Sequence, residues 1–285
     1  MGPAVRSLKG KTVLLTGAAG GIGALVATRL ALREGASLIL ADKNFDRLAE
    51  LQSAIEQKSA GPARISIHEV DLSSTASMLD FHRKIGDRSI DVLINNAGVV
   101  YSGPFENMKY ADFEYVLAVN LRAAVFLTGL LLPVLKKNRG HIVNVASGAG
   151  LVAPAGLNAY ATSKFALVGF SEALRAELRG RVGVSAVCPA FVATSIMKNS
   201  LLDPEIAGRD REVHIEKVDS YLRRIGINPK RVSDRIVSSI KRNRGMVPVG
   251  TLTHLIWNQK KLFPGLTGFL NAVIFRYVMK KGMLK

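Results

Sequence analysis

Short apolar runs recur along the chain, separated by longer stretches of mixed character. The runs are TVLLT at 12–16, SLIL at 37–40, ARISIH at 63–68, DVLIN at 91–95, HIVNVAS at 141–147, VGVSAVC at 182–188 and MVPVG at 246–250. Runs this short and this apolar read as strands, whereas intervals such as ALVATRLALRE at 24–34 carry a helical period. Strands that are apolar on both faces and alternate with helices predict an α/β fold. It is a doubly wound parallel sheet of about seven strands with helices on both faces. The helix before the last strand is the best marked, with Asn228 as N-cap, Pro229 in the first turn and the basic end KRNR before Gly245. The sheet pattern stops near Gly250. Residues 1–250 therefore read as one domain and 251–285 as an extension, with a less regular stretch at about 190–220 long enough to form a lid.

The first strand runs into TGAAGGIG at 16–23, which opens a helix. Gly17 permits a tight turn, and Gly21 and Gly23 allow a phosphate group and the sheet to approach closely. A helix N-terminus at that point favours an anion. Ala19 and Ile22, inside the same turn, are expected among the cofactor contacts. The second strand ends at Asp42, nineteen residues past Gly23. A carboxylate there accepts hydrogen bonds from ribose hydroxyls and repels a 2′-phosphate, so the expected cofactor is NAD, with NADP left open because Lys43 follows.

Further along stand Asp71 after the third strand, NNAG at Asn95–Gly98 after the fourth, Asn120, Ser147, and then Tyr160 and Lys164 in NAYATSKFAL. Tyr277 and Lys281 repeat the last spacing, but Pro264 stands where a serine would be needed, and this pair reads as incidental. The ordered set, with its TGxxxGxG turn, resembles the classical short-chain dehydrogenase/reductase family from Lys11 to about Gly250. The resemblance implies a Rossmann-type fold and an NAD(P)-dependent oxidoreductase that moves hydride between nicotinamide and a secondary alcohol or ketone. It places Asp71 and Leu72 at the adenine, and Asn96, Ala97 and Gly98 along the cofactor cleft. Lys164 falls on the nicotinamide ribose, and Asn120 at a water that connects Lys164 to solvent. Val192 and Thr194, after Pro189, fall at the carboxamide. Where the family has Pro-Gly, this chain has Pro189-Ala190, which removes a glycine's freedom at that turn. The resemblance also implies a homodimer or homotetramer through two long helices, Phe105 to Lys136 and Asn158 to Arg179.

Tyr160 and Lys164 share a helical face. A neighbouring ammonium and a positive nicotinamide are expected to lower the phenol from its usual value of about 10, so that Tyr160 serves as acid or base. Ser147 is expected to hydrogen-bond the substrate oxygen. A protein that keeps the fold to sense a nucleotide without turnover is the competing class. The full set Asn120, Ser147, Tyr160 and Lys164 argues against it, because a sensor needs no proton donor. The five histidines lack ligand spacing, and no metal is expected.

Charge changes the picture at one end only. Ser220–Lys285 holds fourteen Lys or Arg against one acid, Asp234, and so carries +13 of the net +17. LTGFLNAVIFRYVMKK at 266–281 places apolar residues at 266, 269, 270, 273, 274, 277 and 278, one face of a helix with cations nearby. Residues 251–285 are thus expected either to lie on a membrane surface or to pack as an extra helix on the subunit or its neighbour. Nucleic acid is not an expected partner, since charge is unaccompanied by a recognition motif. The apolar stretch FVATSIM with Leu201 and Leu202 suggests a hydrophobic alcohol or ketone, in the lipid, steroid or retinoid class. The lone Cys188 fits a reducing compartment, and the first apolar stretch, VLL, leads straight into the glycine turn rather than forming an export signal. A cytoplasmic location, peripheral at a membrane surface, is the expectation.

Overall fold

The computed structural model describes residues 4–59, 61, 64–192, 201–202 and 226–280. Seven strands form one parallel sheet: β1 Thr12–Thr16, β2 Ser37–Asp42, β3 Ile65–Glu69, β4 Val92–Asn95, β6 His141–Val145, β7 Gly183–Pro189 and β9 Met246–Val249. Two-residue strands β5 Tyr101–Ser102 and β8 Leu201–Leu202 pair separately. The order across the sheet is β3-β2-β1-β4-β6-β7-β9. All seven sequence-predicted strands are present. The chain starts in the middle, runs outward through β2 and β3, then returns to β4 and runs the other way. The crevice where this reversal occurs lies at the C-terminal ends of β1 and β4, which is where open α/β sheets bind ligands.

Side-chain alternation divides the interior into two layers. Val13 and Leu15 of β1 pack under α1 (Gly21–Leu32), α2 (Phe45–Glu56) and α7 (Pro229–Lys241), joined by Val26, Leu30, Leu48 and Ile236. Leu14 points the other way, toward α3 (Thr75–Ile85), α5 (Ala123–Lys137) and α6 (Asn158–Glu177), with Phe81, Leu127, Leu131 and Leu174. Three of these helices start on side chains that accept a first-turn amide: Asn44 from Arg47, Ser74 from Ser77, and Asn228 from Lys230, as the Asn228-Pro229 pair predicts.

The first of the two long helices differs from expectation. Phe105–Asn107 is an isolated 3-10 turn, and Met108 and Lys109 are extended. The helix begins only at α4 (Tyr110–Leu117) and passes through a π turn, Ala118–Arg122, into α5. Apolar Phe105 carries the helical period across a backbone that Pro104 and two extended residues interrupt. Tyr110–Lys137 is long and apolar enough to cross a membrane by length and composition, but nearly half of its apolar window is buried against the sheet. The expected lid lies mostly outside the described residues. After β9, α8 (Thr251–Leu262) and α9 (Pro264–Lys280) complete the described chain.

Candidate active site

The glycine turn leaves no room for side chains. Gly17 has φ +64°, and a Cβ on it would lie 2.6 Å from the Ala97 Cα. A Cβ on Gly23 would lie 2.1 Å from the Gly17 carbonyl oxygen. These contacts fix the turn against β4 and hold α1 close beneath it. The α1 N-cap, Gly20, contributes no side-chain cap, so the first-turn amides around Gly21 and Ile22 remain donors for an anion. Asp42, at the end of β2, is tied to the same turn. Its Oδ2 accepts from the Ala19 amide at 3.0 Å and its Oδ1 from the Asn44 amide at 3.1 Å. A glycine turn at a helix N-terminus with free first-turn amides, and a carboxylate one strand away, fits a dinucleotide.

Asn96 and Ala97 brace this turn. The Asn96 side-chain amide donates to the carbonyls of Thr16 at 3.1 Å and Gly17 at 3.0 Å, and the backbone amides of Asn96 and Ala97 both donate to Thr16 Oγ1. Thr16, buried, is a residue that sequence reasoning passed over; its signal was the first letter of the TG pair. Asp71 Oδ1 accepts from the amide and hydroxyl of Ser73, and Leu72 is buried beside it. Pro189 ends β7, and Val192 forms a single parallel bridge with Ile227. Thr194 lies outside the described residues. Ala190 is not among the residues with positive φ, so the missing glycine costs this turn no conformation.

Asn120 sits in the π turn between α4 and α5 and is 1 % exposed. The extra residue of a π turn rotates the following side chains relative to an α-helix, a device common at functional sites. Here the Asn120 amide pairs with both backbone groups of Val99, accepting at 2.8 Å and donating at 2.9 Å, and donates to Ser163 Oγ at 3.0 Å. Ser163 in turn donates to the Tyr160 carbonyl at 2.7 Å. Gly98 faces this group: a Cβ there would be 3.4 Å from both Asn120 Oδ1 and Lys164 Nζ. Asn120, Gly98, Tyr160 and Lys164 are thus brought together, and Ser163 joins them. Lying between Tyr160 and Lys164, Ser163 carried no signal of its own, since a serine at that spacing reads as solvated helix surface.

Ser147 follows β6 and caps a 3-10 turn, Gly148–Gly150. Its Oγ accepts from the Ala149 amide at 3.1 Å, and the hydroxyl lies near enough to the Tyr160 phenol to favour the phenolate. Lys164, 2 % exposed, donates from Nζ to the Val145 carbonyl at 2.9 Å and stands 5.7 Å from the Tyr160 ring centre. Burial holds the Lys164 amine down at about 8. Burial also pushes the Tyr160 phenol above its ordinary value of 10, although the Ser147 hydrogen bond pulls the other way. The expected lowering rests on the ammonium together with a positive nicotinamide; with the protein's own groups alone the direction is upward. In a dry site the cost of a buried phenolate outweighs the help of an ammonium that burial itself discourages. Below this group, Asn95 donates to Asn144 at 2.8 Å, and Asn144 to Ser171 at 2.8 Å, a polar chain that ties β4, β6 and α6 together.

A model of the short chain dehydrogenase family matches residues 11–205. The ketoacyl reductase HetN of Nostoc sp. is 34 % identical over 273 residues, which cover 94 % of this chain and 85 % of that protein. The mouse estradiol 17-beta-dehydrogenase 11 is 38 % identical over 201 residues, covering 68 % of this chain and 66 % of that one. A short-chain dehydrogenase/reductase from Burkholderia phymatum, solved with NAD, is 27 % identical with a TM-score of 0.76 over 90 % of this chain and 96 % of its own. A short-chain dehydrogenase from Sphingobium yanoikuyae, solved with NADPH, is 25 % identical with a TM-score of 0.73 over 91 % and 95 %. With the parallel sheet, the glycine cradle and these relatives in agreement, the chain belongs to the short-chain dehydrogenase/reductase family and is an NAD(P)-dependent oxidoreductase.

Proposed function

We propose that this chain interconverts a hydrophobic secondary alcohol and its ketone, with Tyr160 as the acid and base. The observation that carries the reading is the cluster in which half-buried Ser147 and Tyr160 meet and the buried Lys164 amine stands 5.7 Å from the Tyr160 ring centre. A nicotinamide held in the cleft would supply or accept the hydride. In reduction, the Tyr160 hydroxyl gives its proton to the carbonyl oxygen as negative charge develops there, and Ser147 holds that oxygen by a second hydrogen bond. In oxidation, Tyr160 takes the alcohol proton. Lys164, anchored to Val145, is placed to bind the nicotinamide ribose hydroxyls and to favour the phenolate. The raised phenol suits a proton donor at neutral pH, so ketone reduction should run well there while alcohol oxidation accelerates as the pH rises.

Asp42 supports NAD as the preferred cofactor. A hydrophobic substrate is supported by the apolar stretch after Pro189 and by the estradiol and ketoacyl chemistry in the names of the relatives. Residues 1–250 are read as the catalytic domain and 251–285 as an extension that meets a membrane surface from the cytoplasmic side. The half-buried apolar residues Phe126, Leu132, Val134 and Phe170 on the long helices suit a homodimer or homotetramer contact.

Tyr160→Phe tests the chemistry. Turnover of a ketone panel should fall by about 10²–10⁴-fold while cofactor affinity, read by fluorescence titration, is retained. A variant as active as the parent would remove Tyr160 from the reaction and favour the nucleotide-sensing class.

A further inference from the structure

The α8–α9 pair turns its largest apolar face away from the protein. Ten large apolar residues between Leu252 and Tyr277 are exposed, against six scattered over the rest of the described chain, so the exposure is concentrated in one place. On α9 the division is sharp. Thr267 is buried and Asn271 and Phe275 are half-buried, a stripe at four-residue spacing that faces the body. Leu266, Phe269, Leu270, Val273, Ile274 and Tyr277 form the opposite stripe, and Phe269 is 65 % exposed. Contiguous apolar surface of this kind marks a membrane or protein contact.

The charge on the same segment chooses between occupants. Residues 251–285 hold six Lys or Arg and no acid, among them Lys261 and Arg276 within the two helices. A second copy would bring an identical cationic face against this one. An anionic bilayer offers the complement to both the charge and the apolar stripe. With 12 and 17 residues, and with Asn271 and Arg276 interrupting the second, the helices fit a surface-lying geometry rather than a span.

The other side of the pair grips the catalytic loop. Residues 148–157 connect Ser147 to Tyr160, and three contacts from the extension hold them. Lys260 Nζ donates to the Leu151 carbonyl at 2.8 Å, the Asn271 amide donates to the Ala153 carbonyl at 2.6 Å, and the Ala155 amide donates to Asn271 Oδ1 at 3.1 Å. Thr253 also lies against Gly148. One face of the extension therefore touches the wall of the substrate site while the other is left apolar and cationic.

We infer that α8 and α9 dock this enzyme on an anionic phospholipid surface and seat the Ser147–Tyr160 side of its cleft at the lipid, so that substrate enters from the bilayer. This rests on the hydrophobic-ketone reading above. The test uses the full chain with NAD, co-sedimented with phosphatidylcholine vesicles with and without phosphatidylserine. Binding should require phosphatidylserine and fall as salt rises. Lys261→Gln combined with Arg276→Gln should weaken it by roughly 30-fold, at about 1 kcal/mol per cation. Phe269→Asp with Ile274→Asp should abolish it while leaving turnover of a short water-soluble ketone unchanged. A vesicle-dissolved ketone should then be reduced faster by the parent than by that variant. No sedimentation with either vesicle overturns the inference. So does a fall in oligomer size in the Phe269→Asp/Ile274→Asp variant without vesicle binding by the parent, which would assign the face to a second copy. Failure of the parent on every ketone in vesicle-free buffer would instead overturn the catalytic reading, so the two failures are separable.

Discussion

Replacing Asp42 with asparagine removes one negative charge at the end of β2 and keeps one acceptor, which can take the Ala19 amide that now bonds Oδ2 at 3.0 Å, while the Asn44 amide, now 3.1 Å from Oδ1, turns to solvent. The glycine turn should therefore keep its shape, and the main change toward the adenosine ribose should be electrostatic. A 2′-phosphate placed about 4 Å from the carboxylate would be repelled by about 4 kcal/mol at an effective dielectric of about 20, and by about 1 kcal/mol in bulk water. The site is half-exposed, and Lys43 stands next to Asp42 to offset part of that field. The working magnitude is then about 1–3 kcal/mol, or roughly 5- to 160-fold in relative kcat/KM. The parent should prefer NADH over NADPH, and Asp42→Asn should lower that preference by this factor, mostly through a better KM for NADPH. Initial rates with both cofactors, taken at fixed ketone concentration on parent and variant, measure it. A preference that is unchanged within about threefold, or a parent that already favours NADPH, refutes the argument that Asp42 selects the cofactor. A thermal melt checks that the variant keeps the fold.

His141 and Asn120 give two further tests. His141 is fully buried with Nε2 on Ser185 Oγ at 2.7 Å, and burial, with Arg175 close by, lowers it from 6.5 to about 3. The unfolded chain binds this proton near 6.5 and the folded chain does not, so stability is complete above 6.5 and is lost as the pH falls toward 3. At about pH 4.5 the loss is about 2–3 kcal/mol. Urea midpoints at pH 7 and at that lower pH should converge in His141→Gln, and an equal acid loss in both proteins would count against the residue. Asn120→Ala should destabilise the chain by about 2–4 kcal/mol, because the Val99 amide and carbonyl and Ser163 all lose a buried partner. A loss below about 0.5 kcal/mol would mean that the π turn does not depend on this side chain.

The parts of this protein that were legible in its sequence are those that a few consecutive residues determine. The seven strands stand out because a parallel sheet covered on both faces demands apolar runs, as in Val92–Ile94 and Val184–Val187, all buried. The glycine turn stands out because Gly17 and Gly23 each occupy places where a Cβ would strike backbone. Properties that arise when distant segments meet were not legible. The π turn at Asn120 has no local signature, and its amide is satisfied only because Val99 and Ser163 arrive from two other elements. The sign of the Tyr160 shift follows the same logic. Spacing told that Lys164 shares its face, but not that the amine is buried and the phenol half-buried, and this desolvation opposes the effect by penalising the ammonium and the phenolate alike. The C-terminal extension is the mixed case. Its apolar period was visible from 266 to 278, but a period tells only that one face wants cover. The contacts of Lys260 and Asn271 with residues 151–155 show that the body takes the opposite face. The apolar stripe that the sequence displays is thus the one that stays exposed among the described residues, on the side of α9 turned away from the body.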